Sequence, residues 1–138
     1  MDHYLDAQHS YQRLLDEYLR YGSLVVAFDF DDTVHDYHQK GRTYPNVIGL
    51  LRDLKRLHCY LICWTGQEDP EFVADYLRTN DIPFDAINEH PPFRASQSRK
   101  VYANVYLDDR AGLAQVYGEL SALVRQVDAM SEASQQGR

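Results

Sequence analysis

Short apolar runs alternate along the chain with longer segments in which apolar residues recur every three or four positions. Unbroken apolar runs of this length are typical of buried strands, and the longer spacing is typical of amphipathic helices. Because strands alternate with helices, we expect right-handed crossovers and a parallel sheet in a three-layer α/β fold. The predicted strands are 24–28, 59–64, 84–88 and 103–107, and the predicted helices are 3–21, 46–57, 70–79 and a last helix from 113 to about 127.

The first predicted strand ends in three carboxylates and a hydroxyl, from Asp29, Asp31, Asp32 and Thr33. Open α/β sheets bind ligands at the carboxyl ends of their strands, so we expect the chemistry here. Carboxylates crowded beside a buried strand are poorly solvated unless a cation is present, and a divalent metal meets that need. If the chain curls after Asp29, a side-chain oxygen of Asp29 and the backbone carbonyl of Asp31 can share one ion, which leaves the Asp31 side chain free.

Two later apolar runs also end in polar side chains. The run 61–64 is followed by Thr65, the run 105–107 is followed by the paired aspartates 108–109, and Lys100 lies between them. Together with the first strand end, these segments resemble the four motifs of the haloacid dehalogenase-like (HAD) hydrolases. The fuller strings at 64–66, 84–88 and 106–111 are similar to a small capless branch of these hydrolases found in bacteria and phages.

The resemblance implies a Rossmann-like sheet with strand order 4-1-2-3 and a Mg²⁺-dependent phosphatase that works through an aspartyl-phosphate. Asp29 is then the nucleophile, and Asp31 is the general acid and afterwards the base. Lys100 helps to neutralise the phosphate and pairs with Asp29. The segments between the motifs are too short for an inserted cap domain. The resemblance then implies that the substrate is a phosphorylated small molecule or a nucleic-acid end.

The metal ligands follow from the same resemblance. Asp29, the Asp31 carbonyl and Asp109 bind Mg²⁺, which prefers oxygen ligands and retains several waters. Asp108 then accepts a hydrogen bond from metal-bound water. The reverse assignment of Asp108 and Asp109 stays open.

The predicted substrate contacts come from three segments. Thr65 and the backbone N–H of Gly66 hold a phosphate oxygen near a helix N-terminus. Thr33 belongs to the same pocket, where it orients the loop and the Asp31 carboxylate rather than touching the substrate. The chain has Gln67 where the resembling branch often has an arginine. Arg99 is one of three arginines that could supply the missing contact.

Composition restricts the class of protein. A chain of 138 residues with 44% apolar and 25% charged residues suits one soluble domain with a single core. The net charge of −7 argues against nonspecific nucleic-acid binding. No run reaches transmembrane length and the N-terminus does not resemble a signal peptide, so we expect a cytoplasmic protein that does not bind membranes. Cys59 and Cys63 fit no zinc pattern and are interpreted as reduced thiols in or near the core.

Several segments have more than one interpretation. The helix 3–21 precedes the first motif as an addition that could be packed on the core, a subunit interface of a homo-oligomer or a substrate lid; packing on the core is favoured. The loop 34–42 corresponds to the flap of the resembling family. Its His35, Asp36 and His38 could touch the substrate, but the favoured interpretation of each is a solvated loop residue. Asp32 is expected to have no direct role. The tail 131–138 is predicted to fray.

A second function is carried beside the phosphatase. In this alternative the chain is a catalytically inactive HAD-like scaffold that binds a partner through the Tyr-rich first helix. An intact set of Asp29, Asp31, Thr65, Lys100 and Asp109 favours the enzyme, because a binding module needs none of these residues.

Overall fold

The structure is a computed structural model, and it describes residues 1–137. A short 3-10 helix at His3–Leu5 precedes four α-helices and four strands. Each lies where the apolar pattern predicts it, with boundaries shifted by a few residues except at the C-terminal end of the last helix. The elements are α1 (Ala7–Tyr21), β1 (Val25–Phe28), α2 (Pro45–Arg56), β2 (Tyr60–Cys63), α3 (Pro70–Thr79), β3 (Ala86–Ile87), β4 (Val105–Leu107) and α4 (Leu113–Gln136).

The four strands form one all-parallel sheet in the order β3-β2-β1-β4. This is the predicted order 4-1-2-3 read from the opposite edge, and it confirms a Rossmann-like α/β sheet. Ala27 of β1 pairs with Ile62 of β2 on one side and with Tyr106 of β4 on the other. β1 is therefore central, and every residue in it is buried. Its carboxyl end lies between the ends of β2 and β4.

All four helices pack on one face of the sheet. Their buried side chains join those of Val26 and Phe28 in a single core. Val25, Ile62 and Val101 form a separate small cluster on the opposite face, and within residues 1–137 that cluster contains no residue from the four helices. The three-layer prediction is therefore wrong about the third layer, which is not helical.

A loop covers the second face. A right-handed return from β3 to β4 must pass over the face opposite α2 and α3. The returning segment, 88–104, contains the pair Pro91–Pro92 and no helical periodicity, so it crosses the face as irregular chain. Arg94 in this loop lies with its guanidinium carbon 4.0 Å from the centroid of the Tyr102 ring.

α1 belongs to the core of the domain. Leu14 is fully buried and Leu15 is 9% exposed, so packing on the core, the favoured interpretation, is confirmed. The predicted helix 3–21 starts too early, because Asp6 caps the helix by accepting the N–H of Gln8 at 2.9 Å. Gly22 ends it in the left-handed conformation with φ of 70°.

α4 is longer than predicted. It continues to Gln136, so the frayed tail predicted from 131 is wrong for 131–136; residue 138 lies outside the described residues. Ser131–Gln136 contains alanine, glutamate and glutamines, which favour helices, and the first break is Gly137. Among residues 1–137, no helix is both long and apolar enough to cross a lipid bilayer.

Candidate active site

Three carboxylates meet where β1 and β4 end. Phe28 pairs with Leu107, so the residues that follow both strands emerge side by side. The backbone N–H of Asp29 donates to the carbonyl of Leu107 at 2.9 Å, which continues this pairing past the strand end. One carboxylate oxygen from each of Asp29, Asp108 and Asp109 lies within 4.8 Å of the other two. The structure thus brings together residues that are about eighty positions apart in the chain.

The Thr33 side chain links the ends of β1 and β4. Its side chain is fully buried, and its hydroxyl oxygen lies 3.2 Å from Oδ2 of Asp29 and 3.3 Å from Oδ1 of Asp109. The same oxygen accepts the backbone N–H of Asp109 at 3.2 Å. The prediction for Thr33 is therefore wrong in its details, because this hydroxyl holds Asp29 and Asp109 rather than Asp31 and is too buried to belong to the substrate surface.

Burial and the acidic neighbours raise the pKa of Asp29 from 3.8 to about 7. Burial is the largest cause, followed by the hydrogen bond with Asp109 and by the negative charge of Asp108. Near neutral pH, and without a cation, Asp29 therefore readily retains a proton beside its acidic neighbours. A divalent cation would neutralise the repulsion that favours this proton.

The donor set fits a hard cation. Three carboxylates on two adjacent strand ends supply only oxygen ligands, which are those that Mg²⁺ prefers. Asp108 uses Oδ1 to accept the N–H of Arg110 at 2.9 Å, and Asp109 approaches Thr33 with Oδ1. Each aspartate keeps a second oxygen beyond these contacts. The choice between Asp108 and Asp109 as the direct ligand stays open.

The Asp31 carboxylate is engaged rather than free. Nδ1 of His35 lies 2.9 Å from its Oδ1. The amide nitrogen of Gln67 lies 3.3 Å from Oδ1 and 3.1 Å from Oδ2. From the sequence we expected the Asp31 side chain to be free of the metal ion and named no partner for it, and we favoured a solvated position for His35. His35 has instead only 18% of its side chain exposed.

The turn after β2 is braced by Asn88. Its side chain accepts the N–H of Thr65 and donates to the Thr65 carbonyl, both at 2.8 Å. The Thr65 hydroxyl accepts the N–H of Gln67 at 3.1 Å. Thr65 thus fixes the turn, while Gly66 lies at the surface of the site. Asn88 was missed as a site residue, although its place at the end of a strand was visible in the sequence.

Lys100 does not reach Asp29. Its ammonium nitrogen lies 5.3 Å from the centroid of the Tyr106 ring, which attracts a cation through its π face. No ion pair joins it to Asp29, so that predicted pair is wrong in this structure. Tyr106 pairs with Ala27, two residues before Asp29, so Lys100 lies on the sheet face toward which Asp29 also points. Arg99 is exposed and does not line the site.

An open trough of about 670 Å³ lies above the carboxylates. One wall is the flap 34–42, where Asp36 accepts the N–H groups of Lys40, Gly41 and Arg42 at 2.8–3.2 Å. Asp36 therefore holds the flap through backbone N–H groups, a structural role that its interpretation as a solvated residue did not include. The trough is lined by Asp29, Asp31, Asp32, Tyr37, His38, Gly66, Gln67, Glu68, Asp69, Asp108, Asp109 and Arg110.

Asp32 contributes to the flap side of the trough. It has a φ of 60°, which is rare outside glycine, and such strain is often found at functional sites. Nε2 of His38 lies 3.2 Å from its Oδ2. Its Oδ1 is buried without a hydrogen-bond partner among residues 1–137. Asp32 thus anchors the flap. The sequence pattern had predicted no direct role for it.

The cysteines do not take part in this site. Cys59 and Cys63 are both free and buried, as predicted. Burial raises the pKa of Cys59 to about 11 and also raises the pKa of Cys63. Neither thiol is therefore a ready nucleophile at neutral pH.

Comparison with known proteins adds support for the fold. No protein-family model matches the chain, and no curated protein matches it. A solved structure of a conserved protein from Bacteroides thetaiotaomicron is similar, with a TM-score of 0.60 and 26% sequence identity. The match covers 72% of this chain and 91% of that one. The likeness supports the parallel α/β fold, and that protein is described only as conserved.

Proposed function

We propose that the protein is a capless HAD-like hydrolase, a Mg²⁺-dependent phosphatase that cleaves a phosphomonoester through an aspartyl-phosphate on Asp29. The observation that carries the proposal is the meeting of Asp29, Asp108 and Asp109 within 4.8 Å at adjacent strand ends, with the buried Thr33 hydroxyl between two of them. Such crowding raises the free energy of the folded state unless a cation is bound. A module that only binds a partner has no need of it.

The proposed metal ligands are Asp29, the Asp31 backbone carbonyl and one or both of Asp108 and Asp109. Mg²⁺ bound there would neutralise the carboxylates and the phosphate oxygens, so that two negatively charged groups can approach. The residues of the chain do not provide this charge neutralisation by themselves. Arg110 is the one guanidinium among the residues that line the trough.

The chain supplies the nucleophile and the proton carrier. A carboxylate oxygen of Asp29 forms a bond to phosphorus as the ester bond breaks, and Asp31 gives its proton to the departing alcohol. In the second step Asp31 takes a proton from a water molecule. The water oxygen bonds to phosphorus, inorganic phosphate leaves and Asp29 is again a carboxylate.

The phosphate oxygens need donors at the other wall of the trough. The N–H of Gly66 is the proposed donor there, and Thr65 holds the turn that carries it. Lys100 lies on the same face of the sheet, and it contributes only after its ammonium leaves the Tyr106 ring. Arg99 is not retained as a substrate contact.

The trough has no lid domain in the described chain. The segment between β1 and β2 holds the flap and α2, and the segment between β2 and β3 holds only α3. This supports the capless assignment and leaves room for a phosphorylated small molecule or a nucleic-acid end. The alternative scaffold function stays a second candidate: Leu14 and Leu15 of α1 are packed in the core, whereas Tyr21 of the same helix is 67% exposed.

Hydrolysis of an aryl phosphate tests the proposal. We expect turnover with millimolar Mg²⁺, none with EDTA, and a loss of at least about 10³-fold in Asp29→Asn, because the nucleophile is removed. Asp75→Asn is the matched control, since that carboxylate lies on α3 with 79% of its side chain exposed. Equal activity of the Asp29→Asn and Asp75→Asn variants would contradict the proposal.

A further inference from the structure

His35 is held in one orientation by an aromatic cage. Its ring stacks on Phe30 with centroids 4.6 Å apart and planes 16° apart. It meets Tyr76 edge-on at 4.7 Å and Phe72 edge-on at 5.6 Å. Phe30 is fully buried, and the other two rings belong to α3. The imidazole therefore has little freedom to turn about its bonds.

The backbone fixes the distance between His35 and Asp31. The N–H of His35 donates to the carbonyl of Phe30 at 3.0 Å, and the His35 carbonyl accepts the N–H of Asp32 at 2.8 Å. These bonds close the turn that carries both Asp31 and His35. Nδ1 of the caged ring consequently lies 2.9 Å from Oδ1 of Asp31.

Gln67 approaches the same carboxylate from a different loop. Its amide nitrogen lies 3.1 Å from Oδ2 and 3.3 Å from Oδ1 of Asp31, and its backbone N–H is bound to the Thr65 hydroxyl. A carboxylate accepts hydrogen bonds, and a carboxyl group that carries a proton still accepts through its other oxygen. The amide and, with its proton on Nδ1, the imidazole therefore act as donors in both steps. Two separate loops thus restrain Asp31.

We propose that His35 is a positioning residue that, together with Gln67, holds the Asp31 carboxylate in the orientation needed for both proton transfers. The inference rests on the proposed phosphatase function. His35 is not among the residues that line the trough, so it acts through Asp31 and not on the substrate. Because a small misplacement of a reacting group can lower a rate by about 100-fold, such restraint matters for kcat.

Two substitutions separate the hydrogen bond from the packing. His35→Phe keeps an aromatic ring in the cage and removes the donor to Asp31. His35→Asn places an amide donor close to the position of Nδ1 and removes the ring. A purely structural role predicts that Asn is the more harmful change for every property, whereas a positioning role predicts opposite rankings for stability and for kcat.

The measurement is steady-state hydrolysis of an aryl phosphate with saturating Mg²⁺, together with thermal melting of each variant. We expect His35→Phe to lose about 10- to 100-fold in kcat with KM within about twofold and a melting temperature close to that of the wild type. His35→Asn should melt at a lower temperature and keep kcat within several-fold of the wild type, since it still donates to Asp31.

The activities of the wild type and of the two variants distinguish failure of the positioning role from failure of the phosphatase proposal. If His35→Phe is as active as the wild type, or if His35→Asn loses as much kcat as His35→Phe, the positioning role is wrong while the phosphatase proposal stands. If the wild type itself does not hydrolyse phosphomonoesters, the phosphatase proposal fails and the positioning role fails with it. The two failures are therefore distinguished by the activity of the wild type.

Discussion

At the scale of single residues, the site depends on polar groups that are costly to bury alone. Thr33 is the one polar residue classed as buried among residues 1–137, and its hydroxyl has Asp29, Asp109 and a backbone N–H within hydrogen-bonding distance. Buried polar groups destabilise a fold unless they are hydrogen-bonded. Thr33 is thus both a structural link between strand ends and the support of two proposed metal ligands.

Replacing Thr33 tests this link. Thr33→Val has a similar shape but no hydroxyl, so it leaves the N–H of Asp109 without its partner. We expect the free energy of unfolding to fall by about 1–3 kcal/mol in urea titrations. Thr33→Ser, which keeps the hydroxyl, should retain the hydrogen bonds and lose less. If Thr33→Val is as stable as the wild type, the Thr33 hydroxyl contributes nothing to the free energy of unfolding.

The raised pKa of Asp29 predicts a pH dependence of stability in the absence of metal. The pKa is about 7 in the folded chain, against an ordinary value of 3.8. The folded state therefore binds this proton more tightly, and the stabilisation present below about pH 4 is lost as the pH rises through about 7. With EDTA present, the melting temperature of the wild type should fall relative to that of Asp29→Asn across this window. Parallel melting curves for the two proteins would contradict the assigned pKa.

At the scale of secondary-structure elements, α1 is a structural part of the domain. Its Leu14 is fully buried in the core, whereas Leu19 on the same helix is 50% exposed. We expect Leu14→Ala to lower the free energy of unfolding by about 2–5 kcal/mol, because it leaves a cavity. Leu19→Ala should change it by less than about 0.5 kcal/mol, as exposed substitutions usually do. Equal effects in denaturant titrations would mean that α1 is not docked as the structure has it.

The elements also show what the sequence could predict. Apolar runs ending in aspartates located Asp29, Asp108 and Asp109, because parallel strands end at one edge of a sheet. The contacts of His35 and Gln67 with the Asp31 carboxylate were less accessible to prediction, since they depend on how turns close. The pattern gives the period of an element, but it does not give the rotamers of loop side chains.

Two features of the fold, the layer that covers the second face of the sheet and the C-terminal tail, were predicted wrongly from the sequence. The third layer was predicted from the alternation of strands and helices, yet the connection 88–104 contains Pro91–Pro92 and stays irregular. The tail 131–136 was predicted to fray from its small polar residues, yet those residues also favour a helix once α4 is established. The first error came from the alternation of elements and the second from composition, and neither signal determines by itself where a helix forms or ends.

At the scale of the whole molecule, acidic charge is concentrated at one end of the sheet. Seven of the residues that line the trough are acidic, in a chain with a net charge of −7. Those seven are Asp29, Asp31, Asp32, Glu68, Asp69, Asp108 and Asp109. Their mutual repulsion acts on the folded state, so a cation that binds them should stabilise the whole domain.

Metal binding should therefore be visible in melting experiments. At pH 7 we expect the melting temperature of the wild type to rise with Mg²⁺ concentration, by an amount equivalent to about 2.7 kcal/mol when Mg²⁺ reaches 100 times its dissociation constant. Asp109→Asn should show a smaller rise at the same concentrations, because one member of the cluster has lost its charge. Asp53→Asn, on the exposed side of α2, should respond like the wild type. A wild type that does not respond to Mg²⁺ would contradict the metal site.

The aspartyl-phosphate on Asp29 is tested by a crystal structure of the protein grown with Mg²⁺ and beryllium fluoride, which mimics a phosphoryl group on a carboxylate. We expect beryllium bonded to a carboxylate oxygen of Asp29, with Mg²⁺ bound beside it by Asp29 and by Asp108 or Asp109. Beryllium fluoride bonded to a different carboxylate, or crystals in which the Asp29 cluster holds neither species at saturating concentrations, would contradict it.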